Sequence, residues 1–228
     1  MDDLDLSAIA AFLLYAATTV ALLGARSFHQ TPATGWPRLR RLTARRLTRA
    51  EQASRACFGL AILAGLLSPL LAAAHQLPVY GHTAHAVALN AVVGELDWLG
   101  LAIAAGAIAV ACLALHTMTS SGSTGVHSTE RTAAVANGIF AVIRNPIFTA
   151  MVALQVGVTL IAPTWLAVAG VAAVVLGCQI QTRLVEEPYV LATHGPAYRS
   201  YAARAGRFLP ALGCLQAETA EAPLPARH

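Results

Sequence analysis

The chain has 228 residues, of which 57% are hydrophobic and only 11% are charged, and its net charge is +4. A soluble domain typically carries about twice that charged fraction, so the composition argues against a soluble helical protein and favours an all-α, polytopic membrane helical bundle. Every basic residue is Arg, and the Arg positions fit a membrane surface better than a nucleic-acid partner.

Apolar runs predict about five transmembrane helices, since a bilayer core is crossed by about 20 apolar helical residues. Residues 6–24, 56–74 and about 96–115 each form such a run. Residues 147–182 are also uncharged, but as one helix they would be about 54 Å long. Because proline interrupts the helix hydrogen-bond ladder, we expect Pro163 to break this run at residues 162–164. The last two spans are therefore predicted to form a C-terminal helical hairpin.

The distribution of Arg predicts the orientation in the membrane. All arginines lie between residues 25 and 55, in the loop after the third span, or after residue 182. The opposite side carries an acidic N-terminus, a loop at 75–95 and the Pro163 turn. The positive-inside rule then places the N-terminus outside and the C-terminus in the cytoplasm of a multi-pass cell-membrane protein.

The organisation along the chain predicts a single membrane domain over residues 1–214 and a disordered tail over 215–228. Residues 38–55 alternate Leu with many Arg, so this segment either lies flat on anionic membrane lipids or acts as a charged topological anchor. Residues 198–210 predict a short amphipathic helix that folds back as a cytoplasmic capping segment.

The outer loop contains a group of histidines that we interpret as solvated side chains. His82 and His85 are three residues apart, as metal ligands on one helix face sometimes are, and His75 precedes them. No nearby Cys or His completes a tetrahedral set, so no metal site is predicted.

A polar cluster is predicted at the cytoplasmic mouth of the fourth span. Arg144 and Asn145 precede Pro146, which suits a first helical turn because its missing N–H costs nothing there. Phe140 and Phe148 supply aromatic faces beside them. The pattern fits either a ligand site or an ordinary helix start with interfacial aromatic residues.

A second polar cluster follows the fifth span. Arg183 and Glu187 are four residues apart, so on a regular helix they share one face. Together with Glu186 they lie just beyond the membrane run, where ionisable groups are costly and often functional. Solvated charges at a helix end are the alternative interpretation.

Together the two clusters resemble the isoprenylcysteine carboxyl methyltransferase family of integral-membrane methyltransferases. The matching stretches are 138–140, 144–148, 183–187 and 195–201, and the resemblance covers residues 129–210. The sequence departs from the family pattern at Asn145, where His is usual, and at Phe140 and Phe148, where Tyr is usual.

The resemblance implies that S-adenosyl-L-methionine binds in a cytoplasm-facing pocket within residues 129–210, with S-adenosyl-L-homocysteine as product. The cofactor-binding residues that it implies are Thr132, Ala133, Ala134, Val135, Phe140, Asn145, Pro146, Ile147, Phe148 and Glu187. Arg183 and Glu186 would be catalytic. Arg183 would place a carboxylate acceptor as a bidentate donor, whereas Glu186 would be the base for an amine or hydroxyl acceptor.

The function expected from this resemblance is methyl transfer to a lipophilic small molecule or a lipid-modified group. Two alternatives stay open: a membrane NADPH-dependent reductase of the sterol-reductase type, and a non-enzymatic membrane protein. Cofactor binding distinguishes the three. The sequence does not indicate an oligomeric state.

Overall fold

The computed structural model describes residues 9, 12–19, 48–75, 84–122 and 138–215. These residues form an all-α structure, as the composition predicted. The α-helices are α1 (Arg49–His75), α2 (Ala84–Gly122), α3 (Pro146–Ile161), α4 (Trp165–Ile180) and α5 (Glu187–Ala202). A 3₁₀ turn covers Gly138–Ala141, and a single π-helical turn, Gln181–Glu186, joins α4 to α5.

Among the described residues, three helical stretches are long and apolar enough to cross a membrane. They are Arg49–Ala72, Leu96–Met118 and Trp165–Ala202, while α3 is apolar but shorter. The predicted second and third spans are thus confirmed as apolar helices. Of the predicted first span, residues 9 and 12–19 are described and are helical, so the count of five spans stays a prediction.

The predicted hairpin break is confirmed at the expected residues. Helix α3 ends at Ile161 and α4 begins at Trp165, with Pro163 between them. The Thr164 side chain caps α4 by accepting a hydrogen bond from the Ala167 N–H at 3.0 Å. The proline ends one helix and the capping threonine begins the next. This explains why two helices form although the uncharged run is continuous in the sequence.

Small residues set the packing of the helices. Helix α2 runs antiparallel to α3, because Gly100 lies against Gly157 near one end and Ala111 packs with Ala150 nearer the other. A Cβ added at Gly157 would lie 2.7 Å from the Gly100 carbonyl oxygen, so the two backbones are in direct contact. Close backbone approach through glycine is typical of membrane helix pairs.

The N-terminal helical segment (residues 12–19) is fastened to the bundle by one tyrosine. The Tyr15 hydroxyl lies 2.8 Å from the Gln155 Oε1 atom and 3.1 Å from the Ala61 carbonyl oxygen. Its ring occupies the space over Gly65, where an added Cβ would overlap the ring. Tyr15 therefore connects this segment to both α1 and α3.

Two exposed tryptophans mark one end of the bundle. Trp165 begins α4 at the hairpin turn and is 90% exposed, and Trp98 lies near the start of the apolar part of α2. Both lie at the end opposite Arg144. Tryptophan is enriched at membrane–water interfaces, so this end fits one bilayer surface.

The amphipathic helix predicted over residues 198–210 ends earlier than expected. Helix α5 stops at Ala202 and is already broken at Gly195, whose φ of 47° is left-handed. Residues 203–215, which we call the closing segment, are not helical. Their backbone groups make other hydrogen bonds, for example within the segment, where the Arg207 N–H donates to the Leu212 carbonyl at 2.7 Å.

Candidate active site

The closing segment pairs with the residues that lead into α3. The Arg144 N–H donates to the Gly206 carbonyl at 2.8 Å, and the Asn145 N–H donates to the Arg207 carbonyl at 3.1 Å. In return, the Gly206 N–H donates to the Val142 carbonyl at 2.9 Å. This short parallel pairing joins two stretches about sixty residues apart and holds the closing segment across the beginning of α3.

A buried ion cluster lies under this pairing. One Glu187 oxygen, Oε1, accepts hydrogen bonds from the Arg144 guanidinium at 2.9 Å and from the Arg207 Nε–H at 2.8 Å. Arg207 also donates to the second oxygen, Oε2, at 3.0 Å, so its contact is bidentate. The three side chains are at most 13% exposed. Charge-assisted bonds of this kind are among the stronger ones in proteins.

Two further contacts fix the Arg144 guanidinium. It donates to the Tyr198 hydroxyl at 3.2 Å and to the Gly213 carbonyl at 2.6 Å. Gly213 has a φ of 71°, a backbone conformation that glycine adopts without steric cost. The cluster therefore connects α3, α5 and the far end of the closing segment.

The π turn decides which of the two adjacent glutamates faces this cluster. The buried face of α4 runs through Val174 and Cys178 to Thr182 at intervals of four residues. An uninterrupted α-helix would bring residue 186 to that face next. The Glu187 N–H instead donates to the Thr182 carbonyl five residues earlier, which adds one residue to the turn. Glu187 is buried as a result, while Glu186 is half-buried.

The predicted catalytic residues, Arg183 and Glu186, lie outside the ion cluster. Glu186 accepts a hydrogen bond from the Gln181 side chain at 3.2 Å, and Gln181 in turn accepts one from Ser54 on α1 at 2.8 Å. Arg183 is exposed. Arg183 and Glu187, which were expected to share one helix face, differ in environment, since Glu187 is buried and Arg183 is not.

The two predicted aromatic residues are both buried. The Phe140 carbonyl accepts a hydrogen bond from the Tyr201 hydroxyl at 2.7 Å, which fixes the 3₁₀ turn against α5. The Phe148 ring stacks on Phe58 of α1, with centroids 5.9 Å apart, in the same apolar cluster as Cys178. Phe148 thus lies in the first turn of α3 and packs near Cys178, in the last turn of α4.

The remaining predicted cofactor residues are only partly described. Asn145 donates from its side chain to the Arg207 carbonyl at 3.1 Å, and Pro146 and Ile147 follow in the first turn of α3. Thr132, Ala133, Ala134 and Val135 lie outside the described residues, as do the side chains of the outer-loop histidines. Among the residues described, no group of three or more potential metal ligands occurs.

Three residues of the ion cluster and its surroundings were not predicted as site residues: Arg144, Tyr198 and Arg207. Each of them lies in a polar stretch that the sequence indicated. Their contacts, however, join positions up to 69 residues apart. The signal that could have indicated such an ion cluster is that a segment next to a membrane span contains more Arg than Glu. Spacing along the chain does not show which Arg meets which Glu.

Comparison with known proteins adds a family. A family model described as phospholipid methyltransferase matches residues 95–197, from the apolar part of α2 into α5. No significant match to a curated protein or to a solved structure was found. The matched range contains Arg144 and Glu187, both members of the buried cluster, together with the helical hairpin. Residues 95–197 are therefore similar to the phospholipid methyltransferase family, which includes the isoprenylcysteine-type enzymes that the sequence resembles.

Proposed function

We propose that this protein transfers a methyl group from S-adenosyl-L-methionine to a lipophilic acceptor at the cytoplasmic face of the cell membrane. The observation that carries the proposal is the buried Arg144–Glu187–Arg207 cluster, which fastens the closing segment over the stretches that resemble the family. A polar, closed site at one end of an apolar bundle suits a charged cofactor that comes from the cytosol and a lipophilic acceptor that comes from the bilayer.

The residues at this corner fit the cofactor. The Thr182 hydroxyl is buried and has no hydrogen-bond partner among the described residues. The first turn of α3 begins without a side-chain capping hydrogen bond, and helix N-termini present backbone donors to polar groups. Phe148 and Phe140 supply aromatic rings, which attract cations such as a sulfonium. Bound there, the cofactor supplies an activated methyl group on a positively charged sulfur.

The contribution of the protein is mainly alignment. Orienting an acceptor against a reactive centre removes much of the entropic barrier to reaction. In the proposed arrangement, Asn145, Pro146, Ile147 and Phe148 surround the cofactor, and residues 132–135 add backbone contacts. Glu187 acts through the two guanidinium groups that it orients and through Oε2, which accepts only one of the cluster's hydrogen bonds.

Arg183 and Glu186 are proposed to act on the acceptor. A carboxylate acceptor needs only a cation that places it, and the exposed Arg183 can donate two parallel hydrogen bonds. An amine or hydroxyl acceptor also needs a base, and Glu186 is held in position by Gln181. Because these two residues lie away from the ion cluster, the proposed site has an acceptor side at Arg183 and Glu186 and a cofactor side at the ion cluster.

The test is calorimetric binding of S-adenosyl-L-homocysteine to detergent-purified protein. We expect wild type to bind and Glu187→Gln to lose at least about 10-fold in affinity, because the two arginines lose their charged partner. The matched control Glu186→Gln, one residue away, and Arg183→Ala should both retain binding. Thermal unfolding of every variant verifies the fold.

Folded wild type that does not bind S-adenosyl-L-homocysteine would refute the proposal. Binding of NADPH by the same preparation would then favour the membrane reductase. Equal losses in Glu187→Gln and Glu186→Gln would support the methyltransferase but contradict the division between a cofactor side and an acceptor side.

A further inference from the structure

The closing segment contains an apolar stretch that is exposed on the surface. Residues 208–215 have the sequence Phe-Leu-Pro-Ala-Leu-Gly-Cys-Leu, without a charged side chain. Residues 209–212, which we call the apolar tip, are all exposed, and the exposed fractions of Leu209 and Leu212 are 51% and 61%. Removing apolar surface from water is favourable, so the apolar tip is suited to apolar surroundings.

Contacts at the base of the apolar tip place it at the depth of the apolar helices. The Phe208 carbonyl accepts a hydrogen bond from the Thr149 hydroxyl, in the first turn of α3. The next residue of α3, Ala150, packs with Ala111 of α2. From Ala111 to Met118, where the apolar stretch of α2 ends, is about 10 Å along the helix. Phe208 therefore lies beside the apolar stretch of α2 and not beyond its end.

The chain enters and leaves the apolar tip nearer to the end of the bundle. Before the tip, the Gly206 N–H donates to the Val142 carbonyl at 2.9 Å. After the tip, the Gly213 carbonyl accepts a hydrogen bond from Arg144 at 2.6 Å. Both partners precede Pro146, the first residue of α3. The closing segment thus extends about one helical turn along α3 and then returns.

The backbone of the apolar tip is suited to contact with lipid, where unpaired peptide groups are costly. The Leu212 N–H donates to the Leu209 carbonyl at 3.2 Å, and the Leu212 carbonyl accepts a hydrogen bond from the Arg207 N–H at 2.7 Å. Pro210, inside this turn, has no N–H that needs an acceptor. These features lower the cost of placing the turn against hydrocarbon.

We propose that the apolar tip is a membrane-contact site, in which Leu209 and Leu212 lie against the acyl chains of the leaflet at the Arg144 end of the bundle. The partner is lipid, because the tip lies at the depth at which the exposed Leu113 of α2 faces the surroundings of the bundle. Arg204, which precedes the tip, is also exposed, and a basic side chain there suits the anionic headgroups above the acyl chains.

The apolar tip is directly connected to the buried ion cluster. Arg207 precedes the tip and donates to Glu187, and Gly213 follows it and accepts from Arg144. Seating the tip in the bilayer therefore holds both ends of the turn against the cluster. The inference does not rest on methyl transfer, since none of these contacts involves a cofactor.

Spin-label accessibility in nanodiscs of phosphatidylcholine and phosphatidylglycerol tests the membrane-contact site. In a variant whose four cysteines are alanine, Leu209→Cys and Leu212→Cys carry a nitroxide one at a time. Ala197→Cys is the control, because Ala197 is exposed on α5 just after the break at Gly195. Labels at the tip should collide more with oxygen, which concentrates in hydrocarbon, than with an aqueous nickel chelate. The control label should show the opposite order.

Two results would overturn the proposal. Tip labels that collide mainly with the nickel chelate, as the control does, would show that the tip faces water. Tip labels shielded from both reagents would show that protein covers the tip. If the cysteine-free background does not fold, Cys178 is retained, because it is buried and buried thiols react poorly with the label.

A charged substitution gives a second measurement of the same contact. Leu209→Asp places a carboxylate at the proposed depth, where a charge is costly. With the nitroxide at position 212, this substitution should shift the label towards collision with the nickel chelate, whereas Ala197→Asp should not. An unchanged label in Leu209→Asp would contradict insertion of the tip as one unit.

Discussion

At the scale of single residues, Gly157 makes the sharpest structural demand. A Cβ there would lie 2.7 Å from the Gly100 carbonyl oxygen and 2.9 Å from the Ala104 backbone nitrogen. We expect Gly157→Ala to destabilise the protein by about 1–3 kcal/mol, since backbone atoms must move to make room. Thermal unfolding in detergent measures the change.

Gly106 is the control for this substitution, because it lies on the same helix as Gly100 and a Cβ there meets no atom within 4 Å. Gly106→Ala should leave the unfolding temperature unchanged or raise it slightly, since alanine is the better helix former. Equal destabilisation by the two substitutions would contradict the close contact between α2 and α3.

Single residues also show where the sequence was sufficient. Pro163 predicted the hairpin break because proline acts on its own backbone, without any partner. Arg144 and Arg207 were not predicted to meet on Glu187, because their contacts depend on how the closing segment folds back. Effects that depend on one residue and its own backbone can be predicted from the sequence. The pairing of distant ionic groups depends on the fold.

At the scale of elements, the π turn behaves as an inserted residue. Deletion of Leu184, which is exposed, would leave Glu187 four residues after Thr182, the spacing of a regular α-helix. We therefore expect the deletion of Leu184 to preserve the fold and the burial of Glu187. Gel filtration and thermal unfolding measure the fold, and calorimetry with S-adenosyl-L-homocysteine reports on the site.

Deletion of Val175, also exposed but within the regular part of α4, is the comparison. It should rotate the two ends of the helix by about 100° relative to each other and abolish folding. If the deletion of Leu184 abolished folding while the deletion of Val175 did not, the π turn would not behave as one inserted residue.

The elements themselves were largely predictable, and their register was not. Length and apolar character indicated α1, α2 and the hairpin, because an apolar run in a bilayer must be helical to satisfy its backbone groups. The wide turn at residues 181–186 has no comparable signature. The family resemblance assigned different roles to Glu186 and Glu187, but the spacing of residues alone did not predict that Glu187 is the buried one.

At the scale of the whole molecule, the orientation derived from the Arg positions stays a prediction. We expect Cys214, an exposed thiol in the closing segment, to face the cytoplasm, and the Trp165 end to face outward. The test uses a variant in which Cys57, Cys112 and Cys178 are alanine. A membrane-impermeant maleimide should label its Cys214 only after the cells are lysed.

A second variant, in which Cys214 is also alanine and Trp165→Cys is the reporter, should be labelled on intact cells. The opposite pattern would invert the topology and place the ion cluster outside, away from the cytosol. The sequence predicts this topology from charge counts in loops, and those loops are mostly outside the described residues, which is why labelling is needed.

The pairing of residues 206–207 with residues 142–145 has a consequence for the order of biosynthesis. Translation delivers every described helix before the closing segment. A nascent chain with its hairpin already inserted still lacks Arg207 and the Gly213 carbonyl, two of the groups that hold the cluster together. The site is therefore the last part of the described structure to form, and inserted but unfinished chains in the membrane are without it.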